Sequence, residues 1–272
     1  MTIEGPVLLV GGGKMGGALL DGWIAAGLAP GRIHVVDPSE ATCTALHEKG
    51  VRAVTDSAAL PADLRPQVVI LAVKPQVMDR IIPPYAKFAE PETVFLSVAA
   101  GRTLASFAAH LGDAAAIVRS IPNTPAAIGR GMTVLCPNAH VTENQRRICE
   151  TLLQAVGATD WVMDEALMDA ATAVSGSGPA YVFHTIECLA AAGVAAGLPE
   201  DVAQRLALKT VAGAGALAEA DESGPVQLRR NVTSPGGTTE AALNVLMEDE
   251  ALTRLFRDAV AAAAQRGKEL AG

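Results

Sequence analysis

The chain reads as an α/β protein: a doubly wound sheet over residues 1–162, followed by an all-α domain over residues 163–272. Three observations predict this. Apolar strand-like runs alternate with helically spaced segments as far as Trp161, a glycine-rich turn joins the first strand to the first helix, and no strand pattern recurs after Trp161. At 272 residues the chain is long enough for two unequal domains, and half of it is hydrophobic. Only 3% is aromatic, so the interior is built mainly from Ala, Val, Leu and Ile.

The strands are expected at 6–10, 32–37, 67–73, 93–98, 115–120 and 131–136, with a weaker one at 157–162. Gln67-Val68-Val69-Ile70-Leu71-Ala72-Val73 is apolar on both faces, as a central strand covered by helices on each side must be. Between the strands, 14–27, 39–49, 76–89 and 142–156 carry helical spacing and end near Gly or Pro. The second part predicts helices around 164–173, 179–196, 199–220 and 238–268, the last broken near 250. The small residues of these helices, such as Gly193 and Gly197 and the run Ala212-Gly213-Ala214-Gly215-Ala216, permit close helix contact and point to an interlocked homodimer.

The first strand runs into Gly11-Gly12-Gly13-Lys14-Met15-Gly16, a G-x-G-x-x-G pattern opening a helix. Gly11 allows the tight turn, Gly13 exposes backbone to a pyrophosphate, and Gly16 lets the helix lie close to the sheet with its positive end toward the anion. Asp37 ends the second strand roughly twenty residues further on, where a carboxylate can accept hydrogen bonds from an adenosine ribose. Together these predict a dinucleotide site that includes Gly11, Gly13, Lys14, Met15, Gly16, Asp37 and Ser39. The turn Ala72-Val73-Lys74-Pro75 and the rigid loop holding Asn123, in Arg119-Ser120-Ile121-Pro122-Asn123-Thr124-Pro125, end two further strands over the same cleft.

Two loops in the helical part carry small hydroxyls and free amides at helix starts: Ser175-Gly176-Ser177-Gly178-Pro179-Ala180-Tyr181 and Val232-Thr233-Ser234-Pro235-Gly236-Gly237-Thr238-Thr239. They suit a small carboxylate, with Ser177, Ser234, Gly236, Gly237, Thr238 and Thr239 as candidate donors. The formal charge of -8 supplies no basic stripe, so nucleic acid is not an expected partner. An acidic protein that binds an anionic cofactor needs local positive groups, and Lys14, Lys74, Arg119 and Arg130 are the candidates. Cys43, Cys136, Cys149 and Cys188 are widely separated, with no C-x-x-C and no Cys/His cluster, so no metal and no disulfide are expected. The start of the chain has no basic region or cleavage site and no run reaches membrane-spanning length, so a cytoplasmic protein with no membrane partner is expected.

With Leu71-Ala72-Val73-Lys74-Pro75 and Ser97-Val98-Ala99-Ala100-Gly101, these motifs resemble in succession those of pyrroline-5-carboxylate reductases, over nearly the whole chain. The resemblance implies a Rossmann-type first domain, a helical domain through which subunits interlock as dimers, often in rings of dimers, and hydride transfer from NADPH or NADH to 1-pyrroline-5-carboxylate, the last step of proline biosynthesis. It also implies that Ser234, Gly236, Gly237 and Thr239 hold the substrate carboxylate and that Thr172 faces the ring nitrogen as the catalytic residue. Ile121 departs from the Met usual before Pro-Asn-Thr-Pro, and Asp37 is unusual among relatives that prefer NADPH, so dual cofactor use is expected. The five histidines stand outside all the motifs, in keeping with an imine that takes its proton from solvent. Two other readings are a β-hydroxyacid dehydrogenase, for which Lys209 is the only mid-domain base, and a non-catalytic NAD(P)-sensing protein, which would not need two carboxylate loops.

Overall fold

The computed structural model describes residues 3–271. The chain forms two compact units, one reaching to Gly176 and taking in the segment from Ala263 onward, the other Ser177–Ala262. The first unit is built on an eight-stranded sheet: β1 (Val7–Val10), β2 (Ile33–Val36), β3 (Arg52–Val54), β4 (Val68–Leu71), β5 (Val94–Ser97), β6 (Ala116–Pro122), β7 (Gly131–Pro137) and β8 (Gly157–Trp161), in the order β3-β2-β1-β4-β5-β6-β7-β8. β1, β2, β4 and β5 are buried at every position, so alternate side chains feed two cores. Leu9, Ile70 and Val118 face one core with Trp23 and Leu152, while Leu8, Val69 and Ile117 face the other with Tyr85 and Phe107. Trp23 is fully buried and its Nε1 donates to the Leu152 carbonyl at 2.8 Å, so the large indole leaves no unpaired donor.

Helices α1 (Lys14–Ala25), α2 (Glu40–Glu48), α3 (Met78–Ile81), α4 (Leu104–Leu111) and α5 (Glu143–Gln154) connect the strands. Three details differ from the sequence expectation. β3 is a three-residue edge strand, too short to show a pattern. The expected helix at 76–89 is a 3-10 turn, the single turn α3 and a second 3-10 stretch, Pro83–Phe88, because Pro83 and Pro84 lack the N–H a continuing helix needs. The sheet is also mixed, since β7 runs antiparallel to β6. The loop from Asn123 to Arg130 is too short for a crossover helix and returns the chain as a hairpin, and α5 then carries it to β8, parallel to β7.

The first unit also extends beyond residue 162, where the sequence places the boundary. A 3-10 turn (Glu165–Leu167), α6 (Met168–Ala171) and a π-helical turn (Thr172–Gly176) follow β8. Fully buried Met168 packs with Ile121, Val134 and Cys136, which ties this segment to the sheet.

The second unit contains α7 (Gly178–Ala195), α8 (Glu200–Ala220), α9 (Gly224–Asn231) and α10 (Thr238–Met247). α11 (Ala251–Ala271) begins in it and ends in the first unit. The break near 250 is a 3-10 turn at Glu248–Glu250, with Asp249 at φ 48° and Glu250 at φ 55°. Gly193 brings α7 close to α8: a Cβ there would stand 3.1 Å from that of Ala203. Among the described residues, Ala203 and Ala207 are the only hydrophobic side chains of this unit that reach full burial, while Phe183, Leu206, Leu217 and Phe256 remain exposed.

Candidate functional site

The carboxyl ends of the neighbouring parallel strands β2, β1, β4 and β5 converge on the expected site. After β1, Gly11 turns at φ +99°, a conformation open to glycine, and a Cβ there would meet the Ala72 carbonyl oxygen at 2.7 Å. A Cβ on Gly16 would lie 2.0 Å from the Gly11 oxygen, so glycine is what lets α1 leave the turn at this angle. Gly13 differs from both: nothing lies within 4 Å of its Cβ position. The fold itself therefore has room for a side chain at Gly13, and the bare backbone is left open to a ligand. Gly13 caps α1 without any side-chain hydrogen bond, and the next residue is exposed Lys14 instead of an acid, so the first amides of α1 and a cation share this corner. These residues fit the pyrophosphate of a dinucleotide.

Asp37 holds the turn together. Its Oδ2 accepts from the Gly12 N–H at 2.7 Å and its Oδ1 from the Ser39 N–H at 2.9 Å. The carboxylate that the sequence assigned to the ribose is thus also a brace of the glycine turn, with one lone pair on each oxygen remaining. Ser39 Oγ accepts from the Thr42 N–H at 3.2 Å and caps α2. Met15 packs partly into the first core. Ala72 donates its N–H to the Val10 carbonyl, Val73 packs on the second core, and exposed Lys74 precedes the Pro75 turn.

A cavity of about 420 Å³ opens beside this turn within the first unit. Its walls include Pro75, Ala100, Gly101, Arg102, Asp169 and Thr172, so two of the sequence motifs and the candidate Thr172 meet there. Thr172 Oγ1 donates to the Met168 carbonyl at 2.7 Å, which fixes its rotamer at the head of the π-helical turn. Asn123 lies under this turn instead of in the cavity wall: its Nδ2 donates to the Ser175 carbonyl at 3.2 Å and its Oδ1 accepts from the Met132 N–H at 2.9 Å. A larger recess, about 660 Å³, lies at the opposite ends of the strands beside Gly5, Gln67, Thr93 and Gln145. Its inner polar groups are paired, Gly5 N–H with Gln67 Oε1 and Gln145 Nε2 with the Pro91 and Thr93 carbonyls, and it carries none of the motifs.

Arg119 is not available to an anionic cofactor. It is 2% exposed, and its Nη1 donates to Glu165 Oε1 at 3.0 Å. The sequence shows a charge inside an apolar strand but does not show its partners, Glu165 and Asp169, which lie more than forty residues on. No histidine or lysine lines the cavity, and Lys209 is an exposed residue of α8 in the second unit. Among the described residues there is no group of three or more His, Cys, Asp or Glu side chains that could hold a metal ion, and no helix is long and apolar enough to cross a membrane.

In the second unit, the loop before α10 turns at Gly236, φ +71°. The Gly236 N–H donates to Glu240 Oε2 at 2.7 Å and the Gly237 N–H to the Ser234 carbonyl at 3.0 Å, so these two amides are occupied. The groups left open are the hydroxyls of Ser234, Thr238 and Thr239 and the uncapped first-turn amides of α10. Ser177 precedes α7 and its side chain makes no capping hydrogen bond.

Comparison with known proteins supports the two-part fold. Residues 165–270 match the family model for pyrroline-5-carboxylate reductase dimerisation, and residues 6–101 match that for NADP oxidoreductase, coenzyme F420-dependent. A pyrroline-5-carboxylate reductase of Pseudomonas aeruginosa is 40% identical over 97% of this chain and 96% of its own length, and one of Synechocystis is 42% identical over 96% and 97%. The structure of a pyrroline-5-carboxylate reductase from Coxiella burnetii superposes with a TM-score of 0.94 at 37% identity, covering 99% of this chain and 100% of that one. The Plasmodium falciparum pyrroline carboxylate reductase, solved with NADP bound, superposes at 0.80 with 26% identity over 99% of both chains. With identity at this level running from the glycine turn through the helical unit, the chain belongs to the pyrroline-5-carboxylate reductase family.

Proposed function

We propose that this protein reduces 1-pyrroline-5-carboxylate to L-proline with NADPH or NADH. The observation that carries the reading is the cavity where Pro75, Ala100-Gly101 and Thr172 meet at the carboxyl ends of β4 and β5, one strand from the glycine turn. Gly11, Gly13, Lys14, Met15, Gly16, Asp37, Ser39 and the Ala72–Pro75 turn would hold the dinucleotide, with Asn123 supporting the site from beneath. A dinucleotide held there would supply the hydride that the imine carbon accepts.

The chain's own contribution is placement. The hydroxyls of Ser234, Thr238 and Thr239, with Ser177 and the start of α10, bind the substrate carboxylate, and the Gly236 and Gly237 backbone shapes that loop. Thr172 hydrogen-bonds the ring nitrogen, directly or through water. Orienting two reactants in near-attack geometry can be worth effective molarities of about 10⁵–10⁸ M. The proton on nitrogen comes from solvent, in keeping with a cavity that has no histidine.

The nearly coreless second unit supports a homodimer in which the exposed apolar faces of α7 and α8 pair, with rings of dimers as a further level. Four free cysteines support a cytoplasmic setting. Oxidation of NADPH and NADH followed with pyrroline-5-carboxylate, beside 3-hydroxy acids with the oxidised cofactors, tests the reading. Turnover confined to the 3-hydroxy acids would favour the β-hydroxyacid dehydrogenase instead.

A further inference from the structure

Three carboxylates and two guanidinium groups lie in or behind the walls of the cavity at Thr172. Arg102, on one side, is held by Asp79, whose carboxylate also meets His110 Nε2 at 2.9 Å. Behind the other wall, Arg119 rises from β6 on the face that carries Ile117 and Ile121. Glu165 Oε1 accepts both from its Nη1 at 3.0 Å and from the Leu104 N–H at 2.8 Å. Each guanidinium thus has its carboxylate. Asp169, one helical turn beyond Glu165, is a second carboxylate on Arg119, at ion-pair distance but without a hydrogen bond. Its Oδ1 stands 3.9 Å from Arg119 Nη2, outside hydrogen-bond reach, although Nε and Nη2 of that buried arginine have no other partner. Its side chain keeps 17% exposure and lines the cavity.

Neighbouring residues preserve that position. Gly267 of α11 lies directly against the carboxylate, where a Cβ would come within 3.0 Å of Oδ1. Thr172 follows three residues after Asp169, on the same side of the helical turn, and lines the same cavity. The other charged groups on elements packed around Asp169 are Lys74, Arg266, Lys268 and Glu269, all exposed, with Arg266 paired to Glu269 at 2.8 Å. Cys136 stands across from Arg119 on β7 as a thiol pushed up to about 11 by burial, and so stays neutral.

We propose that Asp169 is a catalytic residue of this reductase, its carboxylate facing the protonated ring nitrogen of the pyrroline beside Thr172. This rests on the function proposed above. The imine accepts a hydride only as its cation, and a carboxylate beside a cation favours the charged form. In the step itself the imine carbon gains the hydride, the C=N π pair falls back onto the already protonated nitrogen, and a secondary amine results. The imine is reduced, the nicotinamide is oxidised, and Asp169 makes and breaks no bond. Arg119 is a positioning residue that, with Glu165, fixes α6 against β6.

The pH dependence of kcat reports groups within the enzyme–substrate complex and so tests this directly. In Asp169→Asn, which is nearly isosteric, the alkaline limb of kcat should move down by about one pH unit, with kcat at pH 8 falling about tenfold. The melting temperature and NADPH affinity should stay near wild type, and Asp169→Glu should return the limb toward its original position. A purely structural Asp169 would lower the melting temperature and leave the limb unmoved, and that result overturns the inference. Should Asp169→Asn fail to fold, Asp169→Ser, which also removes the charge, decides: a limb displaced to lower pH supports the role, and a limb near wild type contradicts it. A wild type without pyrroline turnover overturns the functional reading as well, whereas an unmoved limb in an active variant overturns this inference alone.

Discussion

Replacing Asp37 tests two roles of one side chain. Its carboxylate accepts two backbone N–H groups, Gly12 at 2.7 Å and Ser39 at 2.9 Å, which fasten the glycine turn to the start of α2. Charge-assisted hydrogen bonds contribute about 1.5–3 kcal/mol when fully desolvated. Asp37 is half-buried, so water recovers part of each, and the loss in Asp37→Ser should come to roughly 2 kcal/mol. In a unit of this size each kcal/mol is worth about 2–4 °C, so the melting temperature should fall by about 4–8 °C. The same substitution removes a negative charge from the expected ribose end of the cofactor site. One like charge at a partly solvated separation repels a 2′-phosphate by on the order of 1 kcal/mol, so the ratio of kcat/KM for NADPH to that for NADH should rise about fivefold. Asp37→Asn separates the effects: it keeps an acceptor, so its melting temperature should fall less while the cofactor ratio still shifts. Calorimetry and initial rates with both cofactors measure this. A wild type strongly selective for NADPH, with the ratio unmoved in both variants, would show that Asp37 braces the turn without meeting the ribose.

Other perturbations follow from the same geometry. Ser234→Ala and Thr239→Val should each weaken use of the substrate by about one to two powers of ten in kcat/KM, by removing a charge-assisted hydrogen bond, with NADPH affinity unchanged; unchanged kinetics in both would remove this loop from the site. Gly13→Ala should melt like the wild type and lose cofactor affinity in fluorescence titration, whereas Gly16→Ala should lose stability outright, because its Cβ would collide with the Gly11 oxygen at 2.0 Å; equal stability losses would refute the assignment of Gly13 to the ligand. Burial holds the Cys136 thiol up at about 11 against 9.0 when unfolded. The unfolded chain therefore sheds its proton first, and stability should fall between pH 9 and 11 by on the order of 2 kcal/mol at this site. Denaturant titrations at pH 7, 9 and 11 on wild type and Cys136→Ala check the sign, which a flatter wild-type profile would contradict.

Six of the seven strands recognised from the sequence are visible letter by letter because apolar runs of four to seven residues can be buried on both faces only in a covered sheet; the seventh, β8, alternates half-buried and exposed positions at the sheet edge and gave the weaker signal. What the letters do not carry is the partner of each segment. Residues 165–173 read correctly as helical, and Ser175 and Gly176, read as loop, close a π-helical turn; the membership of this segment in the first unit depends on Met168 meeting Ile121, Val134 and Cys136, a contact between positions far apart in the chain. The return of α11 rests likewise on Gly267 reaching Asp169. Turns with fixed chemistry, at Gly11 and before α10, were legible because their backbone demands few residue types. The Arg119, Glu165 and Asp169 cluster was not, because an isolated arginine in a strand has the same letter whether it meets solvent or two carboxylates.

The most direct test of the account is a product assay: purified protein with pyrroline-5-carboxylate and NADPH or NADH, with proline measured against cofactor consumed, with and without a chelator. The account predicts one proline per NAD(P)H oxidised, insensitive to chelation. NAD(P)H consumption without proline, or activity that a chelator abolishes and a divalent ion restores, would contradict it.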